Sequence, residues 1–168
     1  MNAIYKRRSI RKYTAEPVSD DTIRSFIKAG MNAPSAGNEQ PWHFVIINER
    51  KVLDELATAH PYAKMLFQAP AAILVCGEPD LERYKGFWVQ DCSAATENIL
   101  LEIADQDYGG VWIGVYPNEN YIRDIRAILS IPYGIIPFAL IAVGRPGEEK
   151  QPKDIFREER IRYNQWES

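Results

Sequence analysis

The chain has 168 residues, of which 46% are hydrophobic and 26% are charged, a composition typical of one globular domain with its own core. The formal net charge of −3 excludes the dense basic face that nucleic-acid binding requires. The longest apolar runs, such as residues 135–143, are too short to span a membrane, and we expect a single domain over residues 1–168.

A dense basic element lies near the start of the chain, where Arg7, Arg8 and Arg11 fall close together with Ser9. Guanidinium groups bind phosphate through paired hydrogen bonds, and a serine hydroxyl completes such a site. Charge runs more often form a solvated surface, here at the end of a first helix. The residues alone therefore leave a phosphate site and a solvated basic surface both open.

The first long helix is predicted to start at Ser19, whose hydroxyl suits the N-cap of a segment with Asp20 and Asp21 in its first turn. Apolar residues follow at helical spacing, and Pro34 ends the segment. The pattern indicates an amphipathic helix that leads into a turn-rich loop.

That loop carries three polar side chains, Ser35, Asn38 and Gln40. Their hydroxyl and amide groups both donate and accept hydrogen bonds, as recognition of the edge of a planar heterocycle requires. Such residues also cap the backbone of ordinary loops. A phosphate site combined with a heterocycle site would describe a mononucleotide site, and a loop that only caps its own backbone is the alternative.

Strands and helices alternate through the rest of the chain. Apolar and β-branched runs predict strands over residues 43–48, 71–76, 111–116 and 135–143. Apolar residues at helical spacing predict helices over residues 51–59, 86–105 and 121–129. The alternation indicates an α+β or α/β domain.

The cysteine and histidine residues indicate neither a disulfide framework nor a metal site. Cys76 in a predicted strand and Cys92 in a predicted helix are expected in the core. His43 and His60 lie on different segments without metal-ligand spacing, so no metal is expected. The basic residues after Lys6 do not precede the apolar stretch of a signal peptide, and the expected location is the reducing cytoplasm.

At its basic element and its polar loop, the chain resembles the nitroreductase family of FMN-dependent oxidoreductases. The resemblance starts at residues 7–13 and 34–42 and continues in the same order through residues 69–71, 91–98, 110–114 and 142–146. It implies an α+β nitroreductase-like fold with a mostly antiparallel central sheet surrounded by helices. It also implies an intertwined homodimer with two FMN sites at its interface.

The resemblance also implies which residues bind FMN. Arg7 and Ser9 would hold the phosphate and the ribityl chain, with Arg8 between them in the same site. Arg11 would approach the pyrimidine edge, where a cation stabilises negative charge on the reduced flavin. A late basic residue would add a phosphate contact; Arg145 is placed like it, and Lys153 and Arg157 are the alternatives.

Other parts of the implied site lie on loops and on one strand. The loop residues Pro34, Ser35, Asn38 and Gln40 would come from the partner subunit and lie over the flavin. Lys64 takes the place of a flavin-facing lysine of some relatives, and a backbone amide of Ile113 or Gly114 would point to flavin N5. Glycine permits such a close approach of backbone to ligand.

The implied activity is hydride transfer from NADH or NADPH to flavin N5, followed by ping-pong reduction of a nitroaromatic, a quinone or a similar acceptor. No side chain is expected to act as an acid or base, because the flavin performs the chemistry while Arg11 and the Gly114 backbone tune it. The alternatives are a specialised flavin enzyme, for reductive dehalogenation or flavin fragmentation, and a flavin-binding sensor or storage protein without substantial turnover.

The last part of the chain is charged and polar and ends with two aromatic residues, Tyr163 and Trp166. Such aromatic residues commonly anchor interfaces. We therefore predict that residues 148–168 form an arm that crosses onto the partner subunit of the homodimer. A frayed terminus is the alternative.

Overall fold

The computed structural model describes residues 2–153 and 155–166. The four strands are β1 (Trp42–Ile47), β2 (Ala71–Gly77), β3 (Gly109–Gly114) and β4 (Ile136–Gly144). The five α-helices of the described residues are α1 (Ala3–Lys6), α2 (Asp20–Met31), α3 (Arg50–Ala59), α4 (Trp88–Asp105) and α5 (Glu119–Leu129). Each strand and each of the four longer helices falls within a few residues of its predicted position.

The strands form one sheet in the order β1–β2–β4–β3, and all three pairings are antiparallel. The central strands β2 and β4 are covered on both faces, β2 being buried along its whole length. Helices α3 and α5 cover one face, where Leu56 and Ile125 pack with Leu74. Helices α2 and α4 cover the other face, where Phe26 packs with Ile73. The predicted α+β class and antiparallel sheet are confirmed.

The predicted start of α2 is also confirmed: the backbone amide of Thr22 donates to Ser19 Oγ at 3.2 Å. Cys76 and Cys92 are buried free thiols, as expected, and burial raises the pKa of Cys76 to about 12. In the described part of the chain, no helix has both the length and the apolar character that crossing a bilayer demands.

The predicted bounds of β3 were wrong by two residues. The pattern indicated residues 111–116, whereas the strand runs from Gly109 to Gly114. Gly109 and Gly110 pair with the end of β4 although glycine is a poor strand former. At the other end, the amides of Val115 and Tyr116 both donate to the Phe138 carbonyl, at 3.2 and 3.0 Å, so the regular ladder stops there.

The basic element near the start of the chain lies along the free edge of β3. Ser9 pairs with Gly110 in a parallel bridge, and the Ile10 amide donates to the Gly110 carbonyl at 3.1 Å. Tyr13 is buried beyond it, and its hydroxyl donates to the Ile10 carbonyl at 2.7 Å. The basic side chains are therefore presented from a backbone that is fixed against the sheet.

The start of the predicted arm also holds this part of the chain, residues 7–13, which we call the edge segment. Glu148 Oε1 accepts from the amides of Arg11, at 2.6 Å, and Lys12, at 3.3 Å. Lys150 Nζ donates to the Ser9 carbonyl at 2.6 Å. The amide of Arg11 is the largest cause that lowers the pKa of the Glu148 carboxyl, and Lys150, whose Nζ lies 3.2 Å from Glu148 Oε1, and the amide of Lys12 lower it further. Of the arm, residues 154, 167 and 168 lie outside the described residues.

Candidate functional site

An open cavity of about 660 Å³ lies beside the outer edge of β3, and we call it the β3 cavity. It brings together four of the predicted site residues, Arg11, Lys64, Ile113 and Gly114. These residues come from the edge segment, from the turn after α3 and from the strand itself. The cavity is further lined by Pro61, Tyr62, Met65, Trp112, Asn118 and Tyr121, among others.

Gly114 leaves the floor of the β3 cavity open. A Cβ atom added to it would meet no atom of the described residues within 4 Å, so the backbone at this end of β3 is accessible to a planar ligand. Ile113, by contrast, is buried and belongs to the core cluster under α3 and α5. The side chain of Ile113 is thus committed to the core, and its contribution to the site is limited to its backbone.

The two cations of the β3 cavity differ in how they are held. The Arg11 guanidinium makes no hydrogen bond or ion pair with any residue that the structure describes, and the side chain is exposed. Lys64 Nζ donates to the Ala57 carbonyl at 3.1 Å, in the last turn of α3, where the helix dipole favours a positive charge. Arg11 is therefore free to bind an anionic or hydrogen-bond-accepting group of a ligand.

A second cavity, of about 770 Å³, contains the other arginines of the basic element, and we call it the arginine cavity. Arg7 Nε pairs with Glu97 Oε1 at 3.2 Å. Arg8 Nε is buried without a hydrogen-bond partner among the described residues. A buried donor without an acceptor is costly, so this atom indicates a place for an anionic ligand.

The structure separates the three candidates for the late basic residue. Lys153 lines the arginine cavity together with Arg7 and Arg8. The guanidinium carbon of Arg145 lies 3.9 Å from the centroid of the Tyr108 ring, and its Nε pairs with Glu16 at 3.3 Å. Arg145 and Arg157 line neither the β3 cavity nor the arginine cavity. Of the three, Lys153 is the residue that the fold brings to Arg7 and Arg8.

In the sequence, Ser9 lies between Arg8, which lines the arginine cavity, and Arg11, which lines the β3 cavity. Its carbonyl is used by Lys150, while its hydroxyl has no partner among the residues described. The edge segment thus connects a basic cavity to a cavity with an open backbone floor. A ligand with a phosphate at one end and a planar ring at the other matches this order of groups.

The polar loop over residues 34–40 lines neither cavity of its own chain. It precedes β1, at the opposite edge of the sheet from β3. Asn38 Oδ1 accepts from the Gln40 side-chain amide at 3.1 Å, and Ser35 Oγ accepts from the Gln40 backbone amide at 3.0 Å. Asn38 and Gln40 both have positive φ angles, 58° and 52°, so the loop is held in a left-handed conformation.

A buried carboxylate anchors this loop. Asp91, in the first turn of α4, accepts from the Ala36 amide at 3.0 Å. Burial raises the pKa of Asp91, and the amide of Ala36 opposes that rise. Pro34 is exposed beside it. The loop is therefore fixed to its own chain while its polar tip stays accessible.

Sequence reasoning missed several residues of the β3 cavity. One of them is Tyr121, in the first turn of α5. Asn118 caps this helix, because its Oδ1 accepts from the amides of Asn120 and Tyr121. The helix therefore starts earlier than predicted. Asn118 is a preferred N-cap residue type, and its position just before the predicted helix was the sequence signal for this cap. Among the described residues, no group of three or more His, Cys, Asp or Glu side chains is arranged to hold a metal ion.

Comparisons with known proteins identify relatives over nearly the whole chain. The model of the Nitroreductase family matches residues 4–60 and 56–145. A protein of Archaeoglobus fulgidus, named provisionally as an NADH dehydrogenase/NAD(P)H nitroreductase, is 45% identical over 170 residues, which cover 99% of this chain and 98% of that protein.

Solved structures show the same fold. A Bacteroides thetaiotaomicron protein with the same provisional name is 41% identical, with a TM-score of 0.93 over 98% of this chain and 96% of that one. A Desulfovibrio desulfuricans protein, named provisionally as a nitroreductase and solved in complex with FMN, is 29% identical, with a TM-score of 0.83 over 98% of this chain and 96% of that one.

Proposed function

The chain belongs to the nitroreductase family, and from that premise we propose that it is an FMN-dependent NAD(P)H oxidoreductase. The observation that carries the proposal is the β3 cavity, which is lined by the open position Gly114 and by Arg11, whose guanidinium has no partner among the described residues. The FMN complex of the Desulfovibrio desulfuricans relative supports the choice of cofactor. The name of the Archaeoglobus fulgidus relative supports NADH or NADPH as hydride donor.

The residues present fit FMN at both ends. We assign the phosphate to the arginine cavity, where Arg7, Arg8 and Lys153 supply positive charge and Arg8 Nε lacks an acceptor. The Ser9 hydroxyl, unpaired among the described residues, suits the sugar-alcohol chain. Guanidinium groups are the preferred partners of phosphate because they donate two parallel hydrogen bonds.

The flavin ring is assigned to the β3 cavity. The backbone at Ile113 and Gly114 forms its floor, and Arg11 and Lys64 stand at its rim. Bound FMN would supply the redox chemistry, namely acceptance of a hydride from NADH or NADPH at N5 and, in a second half-reaction, reduction of a nitroaromatic, a quinone or a similar acceptor. The protein positions the ring, and the positive charge of Arg11 and Lys64 favours its reduced, anionic form.

The loop residues Pro34, Ser35, Asn38 and Gln40 complete the site only if a second subunit brings them. Within one chain the loop lies at the β1 edge, away from both cavities. We therefore propose a homodimer in which each loop lies over the flavin of the partner. The exposed polar tip of the loop supports this arrangement.

The phosphate assignment predicts that Arg7→Ala weakens FMN binding. One charge-assisted hydrogen bond contributes about 1.5–3 kcal/mol, so the dissociation constant should rise by roughly ten- to a hundredfold. Riboflavin, which lacks the phosphate, should bind wild type and variant equally, as measured by quenching of flavin fluorescence. Arg24→Ala, an exposed arginine on α2, is the matched control and should change neither affinity. An equal loss of FMN and riboflavin binding would refute the assignment of the phosphate to Arg7.

A further inference from the structure

His60 lies directly behind the β3 cavity and connects two of its walls. The residue follows α3, and only 1% of its surface is exposed. Its Nε2 lies 2.9 Å from the Gly114 carbonyl oxygen, and its Nδ1 lies 3.2 Å from the backbone nitrogen of Tyr62. A carbonyl only accepts and an amide only donates, so the hydrogen-bond network assigns the proton to Nε2 and the lone pair to Nδ1. The imidazole is therefore neutral.

Both partners of His60 are parts of the proposed flavin site. Gly114 ends the floor of the β3 cavity, and Tyr62 precedes Lys64 in the turn that forms its side wall. The same turn is closed by the Ala63 amide, which donates to the His60 carbonyl at 3.0 Å. One imidazole thus fixes the distance between the strand end and the turn with Lys64.

The surroundings of His60 disfavour its cationic form. Burial lowers its pKa below the ordinary value of 6.5, and the Gly114 carbonyl only partly opposes this. The titratable groups that face it are the phenols of Tyr121, with ring centroids 4.1 Å apart, and Tyr62, at 6.1 Å. No carboxylate or cationic side chain contributes to the shift.

A protonated imidazole would not fit this network. It would carry a second hydrogen on Nδ1, opposite the N–H of Tyr62, so two donors would face each other. The bond to Gly114 would survive, whereas the bond to the turn would be lost. Protonation therefore loosens the side wall at Tyr62, while the backbone bond from Ala63 to the His60 carbonyl remains.

We propose that His60 is a positioning residue of the flavin site, which in its neutral form ties the Lys64 turn to Gly114 and on protonation loosens it by losing the bond to Tyr62. The inference rests on the proposed function and extends it, because it sets an acid limit on cofactor binding. His60 does not line the β3 cavity and touches no ligand itself. Its effect is exerted through the two backbone groups that it holds.

Three substitutions separate the two hydrogen bonds. His60→Gln retains a donor that reaches Gly114, His60→Asn retains an acceptor close to Tyr62, and His60→Phe keeps the ring against Tyr121 with neither bond. None of the three side chains titrates in the relevant range. His43→Gln is the matched control, because His43 is the only other histidine of the sequence. It lies on β1, at the opposite edge of the sheet from β3, and pairs with Glu78.

The test is the FMN dissociation constant of the full chain, measured by flavin fluorescence at about pH 8 and pH 5, the range in which histidine titrates. At pH 8, His60→Phe should bind FMN about tenfold more weakly, because two part-buried backbone groups of the site lose their partner. His60→Gln and His60→Asn should fall between it and wild type. The weakening from pH 8 to pH 5 should be at least about threefold larger in wild type and His43→Gln than in His60→Gln.

A purely structural role would give a different result. His60 variants with a lower melting temperature but unchanged FMN affinity and unchanged pH dependence would overturn the proposal. Imidazole nitrogen chemical shifts showing the proton on Nδ1 of His60 at about pH 8 would also overturn it. A wild-type chain that binds no FMN would instead refute the proposed function. The two failures can be told apart, because the tautomer of His60 is measured in the absence of FMN.

The same geometry predicts how stability varies with pH. Folding lowers the pKa of His60, so the unfolded chain binds more protons once the pH falls below the ordinary value of 6.5. The free energy of unfolding should decrease below that pH and level off below the lowered pKa of the folded state. His60→Gln should remove this component and His43→Gln should keep it, as urea unfolding at several pH values would show.

Discussion

Gly114→Val is expected to abolish FMN binding while leaving the fold intact. A Cβ atom at this position meets no atom of the described residues within 4 Å, so the fold has room for the added carbons next to backbone that lines the β3 cavity. Valine suits a strand, so the backbone has no reason to change. A side chain on the floor keeps a flavin ring away from the strand, and the FMN dissociation constant should rise by at least about a hundredfold, or about 2.7 kcal/mol. Flavin fluorescence and the melting temperature measure the two effects.

The matched control for this substitution is Gly134→Val. Gly134 also has open space where its Cβ would lie, but it belongs to an exposed turn before β4. The control should retain both FMN affinity and melting temperature. Unchanged FMN binding by Gly114→Val would show that the flavin does not lie against β3, and the ring assignment would have to be abandoned.

Removal of residues 155–168 is expected to dissociate the proposed homodimer and to release FMN with it. Ile155, Tyr163 and Trp166 are 77%, 83% and 82% exposed, so the chain itself leaves these large apolar side chains uncovered. Burial of each such side chain contributes about 1.5–3 kcal/mol. Loss of all three should raise the dimer dissociation constant by more than about a hundredfold, as sedimentation equilibrium over a range of concentrations would measure.

This truncation spares the bonds that the start of the arm makes within its own chain. Glu148 and Lys150 remain to hold the edge segment, so the truncated chain should stay folded. Trp166→Ala should produce a smaller effect in the same direction, and Tyr133→Ala, which removes a 90% exposed aromatic side chain elsewhere, should produce none. A truncated chain with wild-type dimerisation and FMN retention would leave the arm without a structural role.

Local patterns predicted the elements well where side-chain chemistry and packing agree. The Ser19 cap and the buried run of β2 are examples, because each follows from short-range physics. The start of β3 was missed because Gly109 and Gly110 have low strand propensity and are held by pairing with β4, a long-range contact. The resemblance to the nitroreductase family, now confirmed by the family match, supplied the topology that local patterns left open between α+β and α/β.

The candidate site was predictable only in part. Arg11, Lys64 and Gly114 belong to three distant segments, and their meeting in one cavity depends on the tertiary fold. The sequence could not decide whether Arg145 or Lys153 supplies the late basic contact, because that depends on tertiary contacts of the side chains. In the fold, Arg145 contacts Tyr108 and Glu16 instead. A single buried histidine such as His60 carries no pattern in the sequence, because its role arises from contacts with Gly114 and Tyr62.

The proposed activity is tested most directly by reconstituting the purified chain with FMN and titrating it anaerobically with NADH and with NADPH while the flavin absorption spectrum is recorded. We predict that FMN binds in an equimolar amount to the chain, that at least one of the two nicotinamides bleaches the oxidised flavin band, and that a quinone or a nitroaromatic restores it. A chain that binds FMN but is reduced by neither nicotinamide would contradict the proposed oxidoreductase activity. A chain that binds no FMN would contradict the assignment of both cavities.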